Sequence, residues 1–147
     1  MIKDIVKDEK ELSIPCEKFK KEDIREIEKI TKDLIDTATY YAENDKNGCV
    51  GLAANQIGYN RRIIIVNKQD GDWEVFVNPV ISNKYGKPFI SEEGCLSLEG
   101  IREAKRYKVI DLLYRDPKTF KIKSLRASGG TAVIVQHEVD HVNGILI

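Results

Sequence analysis

The chain has 147 residues, 41% hydrophobic and 33% charged, with 24 Lys+Arg against 24 Asp+Glu. That length suits one domain over residues 1–147 with a core of its own, and the zero net charge implies no broad polyanion-binding face, so no nucleic-acid partner is expected. The first eight residues resemble neither a signal peptide nor a transit peptide, and no apolar run reaches bilayer-spanning length, so no membrane segment is expected. Three cysteines without a CxxC pair suit a reducing, cytoplasmic setting.

Between Lys21 and Glu43, apolar residues Ile24, Ile27, Ile30, Leu34, Ile35, Ala38 and Tyr41 recur at three- and four-residue steps, which predicts a long amphipathic helix packed on the core. Turn residues Asn44 to Gly48 end it. The Gly51 to Gly58 segment reads as a loop, Arg62 to Asn67 as a buried strand, and Lys68 to Asp72 as the hairpin turn to a partner strand over Trp73 to Val77. Asn78-Pro79 is expected to interrupt, with a strand resuming over Val80 to Asn83 and a turn at Tyr85 to Pro88. Lys108 to Tyr114 and Thr119 to Leu125 predict a second hairpin, and Thr131 to Val142 a second helix despite its β-branched content. The basic runs Lys18 to Lys21 and Arg102 to Lys108 read as solvated faces.

The two histidines of the chain both lie in Gln136-His137-Glu138-Val139-Asp140-His141, a match to H-E-x-x-H. On a helix, residues four apart share a face, so both rings can converge on one cation with Glu138 beside them. A catalytic metal site needs a third protein ligand and an open position for water. With no further histidine, a carboxylate or a thiolate must serve. Cys95, in Glu93-Gly94-Cys95-Leu96-Ser97, has the small neighbours that suit an exposed turn; its bland alternative is a buried small hydrophobe. In Gly51-Leu52-Ala53-Ala54-Asn55-Gln56-Ile57-Gly58, Gln56 is a candidate donor to an oxyanion, and a tightly packed turn is the competing reading.

Taken together, Cys49 to Gln56, Glu93 to Ser97 and Gln136 to His141 resemble, in order, the three motifs of peptide deformylases, GxGLAAxQ, EGCLS and QHExDH. The resemblance implies an α+β fold with antiparallel sheets packed around a central metal-binding helix. It also implies hydrolysis of the N-formyl group of formyl-methionyl peptides to formate and a free amine. One ion per chain is implied, Fe(II) with Zn(II), Ni(II) or Co(II) as substitutes, held by Cys95, His137 and His141. Glu138 would carry the proton, and Gln56 with the Leu96 backbone N–H would hold the oxyanion. Val50, Gly51 and Gly94 would line the substrate groove, Glu93 would support the ligands from behind, Val133 and Ile134 would form the methionine pocket, and Arg102 would stand near the peptide entrance.

Three departures from the family pattern carry expectations of their own. Cys49 replaces a glycine, adding a side chain that crowds the groove or offers an oxidisable thiol. Asn55 and Glu99 stand where prolines are frequent, which loosens two turns. The chain stops six residues after His141, without the C-terminal helix many members use on the ribosome, so ribosome docking is expected to be weakened. Two rival readings remain at this point: a hydrolase of another amide, and a non-catalytic relative that binds formylated peptides or metal only.

Overall fold

The structure is a computed structural model that describes residues 1–68 and 71–147. Among the described residues, three helices, α1 (Glu9–Leu12), α2 (Ile24–Asn44) and α3 (Gly129–Val142), combine with seven strands: β1 (Gly51–Ala53), β2 (Ile63–Asn67), β3 (Trp73–Tyr85), β4 (Phe89–Glu93), β5 (Arg102–Arg106), β6 (Val109–Arg115) and β7 (Ile122–Ser128). One antiparallel sheet runs β1-β2-β3-β6-β7, and β4 pairs with β5 in a separate ribbon. This is the α+β arrangement expected, with α3 on one face of the main sheet.

The β2 run explains the layering. Side chains alternate across a strand, so Ile63 and Ile65 pack with Leu52, Val77 and the Ile27, Ile30, Leu34 and Ala38 stripe of α2, while Ile64 and Val66 pack with Phe76, Ile110 and Leu112 beneath Ala132, Val135, Val139 and Val142 of α3. A strand covered on both faces is apolar at every position, which is why Ile63–Val66 shows no alternation. The α2 stripe lies as expected, entered through a 3-10 turn at Lys21–Asp23.

Several boundaries differ from expectation. The Gly51–Gly58 loop holds a three-residue strand paired with β2 and a 3-10 turn over Ala54–Ile57. Asn78-Pro79 does not break β3; the register slips between Val77 and Val80, and the bulge absorbs a proline that has no N–H to give. Asn78 takes a positive φ of 50° there, and its carboxamide bonds Phe19 N and O, both at 2.9 Å. Strand β7 starts three residues after Thr119, because Asp116 Oδ1 accepts from the N–H groups of Lys118 and Thr119 and widens the turn. In the expected Lys68–Asp72 turn, Gln69 and Asp70 lie outside the described residues; β2 and β3 do pair up to Asn67 and Trp73.

Helix α3 begins at Gly129, two residues before expectation, and is buried nearly all round. Its rotation is set by Gln136, whose Oε1 accepts from Tyr107 N at 2.8 Å and whose Nε2 donates to Tyr107 O at 2.8 Å. That pins the helix so that His137, Glu138 and His141 face the first and second motifs. Among the described residues, no helix is long and apolar enough to cross a membrane.

Candidate active site

Cys95 Sγ lies 3.3 Å from His141 Nε2, and His141 Nε2 lies 3.2 Å from His137 Nε2. The three donors fall within 4.8 Å of one another, and both histidines are buried. Tetrahedral bonds to one zinc-sized cation would set two ring nitrogens about 3.3 Å apart and a sulfur about 3.6 Å from each. The donor spacings fit that requirement, and one sulfur with two nitrogens suits a borderline transition metal. Two neutral ring nitrogens this close would repel without a shared proton or cation between them.

Titration follows from the same crowding. Burial pushes the His141 imidazole down to about 3, with the charges at His137 and Arg106 acting in the same sense. For His137 burial also opposes the charged form, but the hydrogen bonds to Cys95 and Glu93 outweigh it and hold the ring up, at about 10. A proton on His137 competes directly with a cation, so metal binding there must release it.

His137 Nδ1 sits 2.8 Å from Glu93 Oε1, an arrangement that fixes the ring so that Nε2 points at Cys95 and His141. Arg106 donates from Nε and Nη2 to the two Glu93 oxygens, each at 2.8 Å, and from Nη1 to Asp140 Oδ2 at 2.6 Å. Against the solvated-face reading of Arg102 to Lys108, Arg106 is therefore buried, because it neutralises two carboxylates behind the site. Alternation along β5 was the available sign: Glu103 and Lys105 are exposed, and Arg106 falls on the opposite, inward face with Arg102 and Ala104. Burial alone would raise Glu93, yet the bonds from His137 and Arg106 bring its carboxyl to about 2.

Glu138 is buried, and its Oε1 has no hydrogen-bond partner among the described residues. Burial pushes its carboxyl up to about 7, against the pull of His137. Gly51 faces it: a Cβ there would fall 2.8 Å from Glu138 Oε2 and 2.8 Å from Ile134 Cγ2, so only glycine lets the β1 backbone come this near. Gln56 is held by Oε1, which accepts from Ala53 N at 3.0 Å, leaving Nε2 toward Cys95 Sγ at 3.4 Å and Ser97 Oγ at 3.2 Å. The motif-one segment thus delivers its amide to the thiol.

These groups line a cleft of about 970 Å³ between the Asp45 to Gly51 segment, the Glu93 to Ile101 loop and α3. Val50, Gly51, Gln56, Glu93, Gly94, Cys95, Leu96, Val133, Ile134, His137 and Glu138 all contribute to its walls. His141 sits behind them, fully buried. Arg102 does not line the cleft: it pairs with Glu93 in the β4–β5 register, and its neighbour Ile101 forms that part of the wall. Cys49 does line it, buried, with Sγ 3.4 Å from Gly51 O. Burial pushes that thiol up to about 12, which disfavours the thiolate and so weighs against the oxidisable-thiol alternative. Sequence reasoning missed Arg106, Asp140 and Ser97.

Comparison with known proteins agrees with the geometry. The family described as Polypeptide deformylase matches residues 2–147. A peptide deformylase of Clostridium beijerinckii is 45% identical over 148 residues, covering 100% of both chains. One from Halothermothrix orenii is 40% identical over 141 residues, covering 90% of this chain and 84% of its own. Among solved structures, the actinonin-bound class I type b peptide deformylase of Acinetobacter baumannii superposes with a TM-score of 0.86 at 28% identity, over 99% of this chain and 95% of that one. With sequence, fold and the order of the three motifs in agreement, the chain belongs to the polypeptide deformylase family.

Proposed function

We propose that Cys95, His137 and His141 hold one divalent ion, Fe(II), with Zn(II), Ni(II) or Co(II) able to replace it. As a member of its family the chain is a metal-dependent hydrolase that removes the N-formyl group from the terminal formyl-methionine of nascent polypeptides and releases formate. When bound, the ion supplies Lewis acidity and lowers the pKa of a water molecule.

Glu138 is the proton carrier. Its carboxyl, raised to about 7, is matched to taking a proton from water and returning it to the leaving amine near neutral pH. Gln56 Nε2 and the Leu96 N–H donate to the formyl oxygen as negative charge develops there, and Gln56 is already oriented by Ala53. Val50, Gly51 and Gly94 carry the peptide backbone, Val133 and Ile134 wall the methionine side chain, and Glu93 orients His137. A relative from Acinetobacter baumannii solved with Met-Ala-Ser bound supports a peptide in the matching cleft. The cytoplasm is the proposed compartment, in keeping with three free cysteines.

The observation that carries this reading is the convergence of one sulfur and two imidazoles beside a buried carboxylate whose Oε1 has no partner among the described residues. Its test is formate release from formyl-Met-Ala-Ser by protein loaded anaerobically with Fe(II). Glu138→Ala should keep the metal and lose at least about 100-fold in turnover. Equal formate release with and without the Glu138 side chain would sink the mechanism, and equal hydrolysis of acetyl-Met-Ala-Ser would sink the formyl specificity.

A further inference from the structure

His137 and His141 are unequally supported. A histidine that binds a metal through Nε2 carries its proton on Nδ1, and that N–H is almost always given to an acceptor that fixes the ring. His137 has Glu93 for this purpose. His141 Nδ1 is buried and has no partner among the described residues. One other buried orphan lies on a residue that already holds His141. Asn55, 4% exposed, donates from Nδ2 to the His141 carbonyl oxygen at 2.7 Å, while its own Oδ1 has no partner.

The two orphans are complementary in chemistry: a carboxamide oxygen, which only accepts, and a ring N–H, which only donates. Among the described residues, Thr31 Oγ1 and Glu138 Oε1 are the other unpaired buried side-chain oxygens. Thr31 belongs to α2, on the far face of the sheet from α3, and Glu138 turns into the cleft beside Gly51. Asn55 sits in the 3-10 turn directly before Gln56, so the segment that supplies the amide to Cys95 also reaches the last metal ligand.

We infer that Asn55 is a positioning residue for the metal site, its Oδ1 accepting the Nδ1–H of His141 once Nε2 is bound to the ion. Asn55 then grips His141 twice, at the backbone carbonyl and at the ring, and does for this ligand what Glu93 does for His137. In place of the turn-loosening expected from the sequence, Asn55 becomes a brace between the first and third motifs. The inference rests on Cys95, His137 and His141 being the ligands.

The test uses the full chain loaded with Zn(II) and labelled with ¹⁵N-histidine. In the unaltered protein, the His141 Nδ1–H should give a slowly exchanging, downfield proton signal beside that of His137. In Asn55→Ala that signal should move upfield and exchange faster, and Zn(II) should pass to a chelator about 10- to 100-fold faster, while the His137 signal stays in place. Asn55→Asp keeps an oxygen and loses the donor to the carbonyl; it should recover the ring signal and slow metal release.

Three results overturn the inference: no protected His141 Nδ1–H in the unaltered protein, no change in signal and metal release in Asn55→Ala, or Asn55→Asp behaving like Asn55→Ala, which would mark Asn55 as a cap on α3 alone. Should Asn55→Ala fail to fold, the unaltered signal and Asn55→Asp still decide. Zn(II) binding that survives His137→Ala unchanged would overturn the ligand assignment itself, and this inference with it.

Discussion

Glu93 Oε1 stands 2.8 Å from His137 Nδ1, and the same carboxylate is clamped through both oxygens by Arg106. The ring of His137 is therefore oriented by a charge that is itself held in place, which raises the basicity of the nitrogen that faces Cys95. Glu93→Gln keeps the shape and removes the charge. Metal affinity should fall about 10- to 100-fold in chelator competition, with the circular dichroism spectrum unchanged; an unaltered affinity would show that Glu93 does not tune the ligand.

Arg106 is the counter-charge for Glu93 and Asp140 at once. Replacing it by leucine leaves the buried Glu93 and the partly exposed Asp140 without their shared counter-charge, and breaking a buried pair costs about 3–5 kcal/mol. Urea unfolding should show it. Arg106→Lys should recover only part, because an ammonium cannot span both Glu93 oxygens and Asp140 in a fixed fork.

Acid unfolding should carry the mark of the same carboxylate. Glu93 has a folded pKa brought from 4.5 to about 2. A depressed acid adds stability that is complete above its unfolded pKa and lost as pH falls through the folded one. The unaltered protein should therefore lose about 3 kcal/mol from this group between roughly pH 4.5 and 2. In Arg106→Leu the slope over that window should be shallower. Equal slopes in both proteins would contradict the assignment.

Gly51→Ala places a methyl group 2.8 Å from Glu138 Oε2 and from Ile134 Cγ2. Both neighbours belong to the cleft wall, so either Glu138 moves or the β1 backbone retreats from the groove. Overpacking of this kind costs about 1–3 kcal/mol, and kcat should fall while the metal content stays at one ion. A variant with normal kcat would show that the close approach is not used.

The thiols should differ in reactivity for a physical reason. Burial holds Cys16 at about 11 and Cys49 at about 12, so little thiolate exists at either near neutral pH. In native, metal-loaded protein, iodoacetamide should label neither within the time that labels both in urea, as read by mass spectrometry. Rapid native alkylation at Cys49 would restore the view of it as an oxidisable residue on the cleft wall.

The sequence by itself determined the elements whose signal is local: the α2 stripe from Ile27 to Ala38, the unbroken apolar strand Ile63–Val66, and the i, i+4 pair His137 and His141 with Glu138 between them. Such patterns repeat over one or two turns, and burial of a face is enough to fix them. Family motifs added Cys95 and Gln56. Only the tertiary structure decided which charges meet. Arg106 reaches Glu93 across 13 residues and Asp140 across 34, and Gln56 reaches Cys95 across 39. It also decided that Pro79 lies in a bulge, and that Gly51 begins a strand pressed against Glu138. A buried charge looks like a solvated one in a linear string, because its partner is chosen by chain topology, and desolvation acts only after the chain has closed around it.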